Sequence, residues 1–310
     1  MLQAKIVKKN SGSLYQVNMG NFVLEIVPKL GGKIKSLISQ NSGRDFFFKD
    51  PRNNYSGQGY LGHDISGWDE CFPNVGKTKG IFRWDHGVLW DKAWQIEVEK
   101  DKIITYVNRP NGLPINFFRV LQIIDKNKLR FKYKIENLSN NKFPFIYSAH
   151  PILAPDNNTR VIIPGIKFLK VLGHNGKFKA KKRQAWPKSK LLNNNLTRWD
   201  TNFTPDREIA GKWFARGINQ VEIAFPKTNE RLGISWDKKS LPYLGLWISL
   251  GLALAGNKKD ARKWNCLALE PTNWPNDTIN KCQQVPKLQP KGSFSFWIDW
   301  QIKGKYISSD

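Results

Sequence analysis

Histidine, methionine and cysteine are scarce in this chain of 310 residues, which has four, two and three of them. Cys71, Cys266 and Cys282 are odd in number, and none lies in a CxxC pair. That argues against a disulfide framework and against a structural zinc site. Reduced thiols in a cytoplasmic protein are the expectation. Acids are also few: 25 Asp and Glu against 50 Lys and Arg leave a formal net charge of +25. A balance of that sign invites an anionic partner. The bases, however, are spread along most of the chain, and the one dense run is KFKAKKRQAWPKSK, Lys177 to Lys190. No helix-turn-helix pattern, zinc-finger spacing or aromatic RNA-binding signature surrounds it, so it reads as a solvated basic loop and not as a nucleic-acid site. The start, MLQAKIVKKNSG, lacks the apolar core of a secretory signal. The most apolar run, Leu241 to Gly256, is too short and too glycine-interrupted to span a bilayer. No membrane partner is expected.

What the chain does have is strand pattern. Apolar residues make up 40% of it and aromatics 13%, which argues against disorder. Leu14–Met19 and Phe22–Val27 flank Gly20-Asn21, a dipeptide suited to a two-residue hairpin turn. The clearest pair is Phe117–Ile124 with Leu129–Glu136. In its second arm Leu129, Phe131, Tyr133 and Ile135 alternate with Arg130, Lys132, Lys134 and Glu136, the mark of a half-buried antiparallel strand. Further strands are expected at Lys33–Ile38, Trp94–Glu99, Ile103–Val107, Phe143–Ser148, Val161–Ile163, Val221–Ala224, Leu232–Trp236, Leu244–Leu250, Cys266–Leu269 and Phe294–Ile302. Amphipathic helices are nearly absent. The pattern predicts an all-β fold, a large antiparallel β-sandwich, with residues 1–310 as one domain.

Chemistry concentrates in a few places. Ser66–Trp90 gathers Trp68, Trp84 and Trp90, the acids Asp69, Glu70 and Asp85, and His86 before Gly87. Flat rings stack on the C–H faces of a polyhydroxylated ligand, and acids and imidazole hydrogen-bond to its hydroxyls. The same composition also suits a buried tryptophan cluster. His150 follows a strand and precedes Pro151, which cannot continue a ladder, so the strand is expected to end there. Glu270 closes the apolar run Cys266–Leu269. A carboxylate placed there is partly desolvated, which raises its pKa and makes it a better base near neutral pH; the bland alternative is a glutamate pointing outward. His174, in GHNGK, reads as a turn residue.

Ordered segments spanning most of the chain resemble the aldose 1-epimerase (galactose mutarotase-like) superfamily, in its divergent bacterial branch. They are GWDECFP (67–73) with DHGVLW (85–90), SAHPILAP (148–155), LPYLGLW (241–247), LALEPTN (267–273) and the closing LQPKGSFSFWIDWQI (288–302). The resemblance implies a β-supersandwich whose cleft holds a free monosaccharide and interconverts its α and β anomers without a cofactor. It implies that Glu270 is the base and His150 the acid. It further implies that His86 hydrogen-bonds to the sugar, Trp247 forms a stacking wall and Asp69 is a hydroxyl ligand. The chain departs from the family pattern in three ways. Asp85-His86-Gly87-Val88 replaces an Asn-x-Leu-His-Gly-Gly-like segment. Trp90 stands where the sugar-phosphate branch has Arg. The family's aspartate between acid and base has no clear match, leaving Asp200, Asp206 and Asp237 as candidates. The competing expectations are a non-catalytic carbohydrate-binding protein on the same fold, a sugar-phosphate epimerase, and an anion or nucleic-acid binder. Catalysis requires the Glu270 carboxylate and a His150 ring nitrogen to face one cleft, roughly a sugar-ring width apart; if either points into the core, binding is the better reading.

Overall fold

The computed structural model describes residues 2–9, 12–52, 59–78, 82–174, 182–190, 196–252, 264–279 and 284–304. Cys282, the first five residues of the basic run at 177–181, and the end of the apolar run at 253–256 lie outside the described residues. Nearly all regular structure is strand, in an eleven-stranded and an eight-stranded sheet with two small two-stranded additions. Among the described residues, no helix is long and apolar enough to cross a membrane.

The larger sheet runs, in spatial order, Leu2–Lys9, Gly12–Met19, Phe22–Val27, Lys33–Ser39, Trp68–Cys71, Ser148–Leu153, Asn265–Thr272, Tyr243–Leu250, Ile209–Arg216, Phe168–His174 and Arg183–Ala185. The smaller runs Arg160–Ile162, Gln220–Phe225, Glu230–Trp236, Ser293–Lys303, Lys128–Asn137, Ile115–Asp125, Lys102–Asn108 and Gln95–Val98. Neighbouring strands pair antiparallel throughout both sheets. One apolar cluster contains residues of both sheets, so they pack face to face. Trp68 of the larger sheet lies 4.7 Å from the Phe131 ring and 5.2 Å from the Trp300 ring of the smaller. The all-β sandwich expected from the alternation of Leu129–Ile135 is therefore the observed architecture.

A buried ion pair spans the two sheets. Glu70 points inward and accepts hydrogen bonds from Tyr133 Oη at 2.9 Å, Tyr147 Oη at 2.7 Å and Arg119 Nη1 at 3.1 Å. Arg119 also donates to Thr105 Oγ1 and to the Gly32 carbonyl. Burial raises the Glu70 pKa and the Arg119 charge opposes that shift.

Two local expectations need correction. The Phe143–Ser148 strand is instead two pieces, Phe143–Pro144 and Ser148–Leu153. His150 does not end a strand: the ladder runs through it, with His150 opposite Asp69 and Pro151 opposite Trp68. On its other side the strand pairs at Ser148 and again at Ile152, skipping the proline, which has no N–H to give. The strand therefore tolerates Pro151 in mid-sheet.

The inner face of the larger sheet is core, and its outer face carries a second cluster, Phe48, Tyr60, Ile65, Ile152, Trp264 and Cys266. Side chains alternate across a strand. Trp68, Ala149, Leu269, Leu246 and Trp213 accordingly belong to the inner core, while Ile152, Cys266 and Trp247 belong to the outer cluster. The same alternation sends Asp69, His150, Glu270, Trp247 and Lys212 outward.

Candidate active site

Register gathers those outward residues into two neighbouring rows, Asp69, His150 and Glu270 in one and Trp247 with Lys212 two residues along. Asp69 is paired with His150, the match of Ser148 with Thr272 and Ile152 with Ala268 leaves His150 across from Glu270, Gly245 pairs with Glu270, and Trp247 pairs with Lys212. Gly245 leaves room beside the carboxylate, since a Cβ there would lie 3.3 Å from Glu270 Oε2. Over these rows lies a cavity of about 290 Å³ lined by Tyr60, Val75, His86, His150, Lys212, Trp247 and Asp277, with Leu61, Ile65, Gly76 and Ile152 completing the wall. That volume sits at the small end of ligand pockets, about 300–1,000 Å³, and suits one sugar ring.

The two oxygens of Glu270 are unequal. Oε2 accepts from Lys212 Nζ at 2.5 Å and Ser148 Oγ at 3.2 Å. Oε1 has no hydrogen-bond partner among the described residues and lies 3.7 Å from His150 Nε2. Burial raises the Glu270 pKa, and the Lys212 charge pulls against it. Lys212 is itself shifted: burial acts to lower it, but the charges of Asp277 and Glu270 outweigh burial and raise it. It stays an ammonium ion.

His150 is held from behind. Its Nδ1 is 3.1 Å from Tyr60 Oη, and Tyr60 Oη donates to Asp69 Oδ2 at 3.1 Å, where Lys33 Nζ also donates at 2.5 Å. Burial first, then the Asp69 charge, push the Tyr60 phenol well above its ordinary pKa, so it keeps its proton. With that proton given to Asp69, Nδ1–H must donate to Tyr60, which leaves Nε2 as the nitrogen facing Glu270. Burial first, then the neighbouring His86, Lys212 and Lys33, hold His150 well below the usual imidazole range.

His86 forms a side wall. It takes a left-handed backbone, φ 56°, and its ring stacks on Tyr60 at 3.7 Å. Its amide donates to the Val75 carbonyl at 2.6 Å, and Asp85 Oδ1 is 2.9 Å from Nδ1. Gly87 follows at φ 77°, and a Cβ on it would lie 2.1 Å from the Phe72 carbonyl oxygen. Only glycine lets the chain cross Phe72 there and present His86 to the cavity.

No family model and no curated protein matches the sequence. Solved structures do match. The chain is similar to the Slr1438 protein of Synechocystis sp. PCC 6803, at 16% identity and a TM-score of 0.66, over 98% of this chain and 96% of that one. It is similar to a galactose mutarotase-like protein of Lactobacillus casei ATCC 334, at 11% identity and a TM-score of 0.66, over 97% and 100%. A galactose mutarotase-like protein of Clostridium acetobutylicum matches at 15% identity and a TM-score of 0.63, over 98% of each chain. The chain has the galactose mutarotase-like fold. At these identities the likeness establishes the fold, and function has to be argued from the site.

On that fold the structure brings together four of the five residues singled out from sequence. His150, His86 and Trp247 line the cavity, and Glu270 lies beneath it. Asp69 is placed differently from a hydroxyl ligand: it is 2% exposed and sits behind Tyr60, bonded to Lys33. Trp90 packs edge-on against Tyr60 at 5.4 Å and gives its indole N–H to the Asp85 carbonyl. None of Asp200, Asp206 and Asp237 lines the cavity. Asp200 pairs with Arg198, Asp206 lies in the turn Pro205–Arg207, and Asp237 caps the turn to Lys239. His174 ends the strand Phe168–His174, away from the cavity. Sequence reasoning missed Tyr60, Lys212 and Asp277. A lysine inside the apolar stretch Ile209–Ala215 was the signal for Lys212, since a charge there has to be paired. The turn residues around Asp277 carry no such signal.

Proposed function

We propose that this protein is an aldose 1-epimerase-like isomerase that interconverts the anomers of a free monosaccharide, with Glu270 and His150 as its proton-exchanging pair. The observation that carries the reading is the arrangement of Glu270 Oε1, without a hydrogen-bond partner among the described residues, 3.7 Å from His150 Nε2 at the base of a cavity of one-ring size.

The pair shares one proton. In the form competent to open the ring, the proton lies on His150 Nε2 and Glu270 is ionised. Glu270 Oε1 takes the proton of the C1 hydroxyl, the C1–O5 bond breaks, and His150 gives its proton to O5. The open aldehyde turns about C1–C2, and the reverse transfers close the ring on the other face. Burial makes both partners better at this work, since a lowered imidazole pKa makes the stronger acid and a raised carboxyl pKa the stronger base. Asp69, through Tyr60, offsets the positive charge of His150 when Nε2 is protonated. Among the described residues, Lys212 is the only Lys or Arg that lines the cavity, and it already faces Glu270 and Asp277, which favours an uncharged sugar over a phosphorylated one.

The pH profile tests the pairing. Activity needs one proton on the pair, so kcat/KM is expected to be bell-shaped, with both limbs belonging to the pair and not to either residue alone. The Lys212 charge lowers both His150 and Glu270. Lys212→Met removes it, so both limbs are expected to move to higher pH. Polarimetry across the pH range reads the shift, and limbs that stay in place would contradict the assignment.

Binding without turnover is the second reading. It is favoured by one observation: the Glu270 side chain is only 1% exposed beneath Lys212. Measured exchange of anomers separates the two.

A further inference from the structure

Lys212 and Asp277 are the charged cavity residues that the proton-exchanging pair leaves unassigned. Unlike Glu270, both reach the open cavity, with side chains 11% and 25% exposed. Lys212 Nζ is 2.5 Å from Glu270 Oε2 and 3.6 Å from Asp277 Oδ1. An ammonium has three N–H donors, and Glu270 uses one. The separation from Asp277 exceeds the N–H···O range of about 2.7–3.2 Å, so this ion pair is not closed by a direct hydrogen bond. A donor and an acceptor held slightly too far apart for each other, side by side on a cavity wall, match two neighbouring hydroxyls of a ring.

Asp277 is fixed for such a task. Its carbonyl accepts from Gly76 N at 2.7 Å and Val75 N at 3.2 Å, which ties its loop to the segment carrying Val75. Gly76 allows the close crossing, because a Cβ there would lie 3.1 Å from Thr278 Cγ2. Ile279 N donates to Thr78 Oγ1 at 3.1 Å and ties the two loops a second time.

We infer that Lys212 and Asp277 form a diol clamp that selects the substrate, Lys212 donating to the hydroxyl on C2 and Asp277 accepting from the hydroxyl on C3. The order follows from the wall itself. Glu270 Oε1 serves C1, Lys212 is bonded to the other oxygen of the same carboxylate, and Asp277 faces Lys212 at 3.6 Å. The inference rests on the epimerase reading for the position of C1. It assigns the substrate class as monosaccharides with adjacent free hydroxyls at C2 and C3, and it places the hydroxyl-binding aspartate after the base in sequence and not before it.

Titration calorimetry of D-glucose, D-galactose and D-mannose, with the 2-deoxy and 3-deoxy forms of whichever binds most tightly, tests the clamp in the full chain. Asp277→Asn and Lys212→Met are each expected to weaken the parent sugar by about 10- to 100-fold, the size of one charge-assisted hydrogen bond. Asp277→Asn is expected to leave the 3-deoxy sugar at its wild-type affinity, and Lys212→Met to leave the 2-deoxy sugar at its own. Asp277→Asn keeps the shape of a partly exposed side chain, so it stands as the deciding variant if Lys212→Met fails to fold. Unchanged binding of the parent sugar to Asp277→Asn, or an equal loss for the deoxy sugar, overturns the clamp. Anomer exchange measured alongside separates the two ideas. Exchange without Asp277 dependence overturns the clamp and leaves the epimerase. Asp277-dependent binding without exchange supports the clamp and overturns the epimerase. A wild type that binds none of the sugars overturns both.

Discussion

Glu270→Gln is expected to lower kcat for mutarotation by about 10²–10⁴-fold, the usual contribution of one positioned acid–base group. The amide keeps the volume and an oxygen, so contacts with Ser148 Oγ and Lys212 Nζ can persist through that oxygen while the basic Oε1 is replaced by NH2. Binding of the closed ring is expected to change little, because the loss falls on proton transfer and not on ground-state contact. Polarimetry with the spontaneous rate subtracted reads kcat and KM together. A fall in kcat at nearly constant KM is the expected pattern. A variant that raises KM and spares kcat would reduce Glu270 to a binding residue, the outcome that its enclosure beneath Lys212 would then explain.

Arg119→Met is expected to destabilise the fold by about 3–5 kcal/mol, as when one partner of a buried ion pair is removed. Glu70, at 1% exposure, would keep the Tyr133 and Tyr147 hydrogen bonds and lose its only cation among the described residues. Burial already raises its pKa, so the uncompensated carboxyl takes up a proton or the strand Trp68–Cys71 shifts. Urea unfolding followed by tryptophan fluorescence reads the loss. Glu70→Gln in the Arg119→Met background is expected to recover most of it, since the charge that lacked a partner is gone. A single-variant loss under about 1 kcal/mol would show that the two tyrosines suffice. Asp69 is the next residue on the strand and points to the opposite face. The same variant is therefore expected to disturb the Asp69–Tyr60–His150 line.

The sandwich was legible in the sequence because half-wet strands alternate. Lys128–Asn137 shows the pattern along its length, buried residues facing the core and charged ones facing water. Trp68–Cys71 was not legible as a strand, because all four residues are buried and no alternation survives. Its neighbours Asp69 and Glu70 look alike in sequence yet serve opposite faces. The strand through Pro151 was misjudged because pairing that skips from Ser148 to Ile152 leaves no local trace. His150, Glu270, His86 and Trp247 came from short motifs, and register then placed them around one cavity. Tyr60, Lys212 and Asp277 come from separate loops and a distant strand, and only the crossing of residues 75–76 with 277–279 brings Asp277 to the wall.

Two-dimensional exchange NMR on the anomeric protons of D-glucose, D-galactose and D-mannose, with catalytic amounts of the wild-type protein, tests the central claim most directly. For at least one of these sugars, α/β cross-peaks are expected that grow with protein concentration and vanish in Glu270→Gln. Exchange at the spontaneous rate for every sugar, or enhanced exchange that survives in Glu270→Gln, would contradict it.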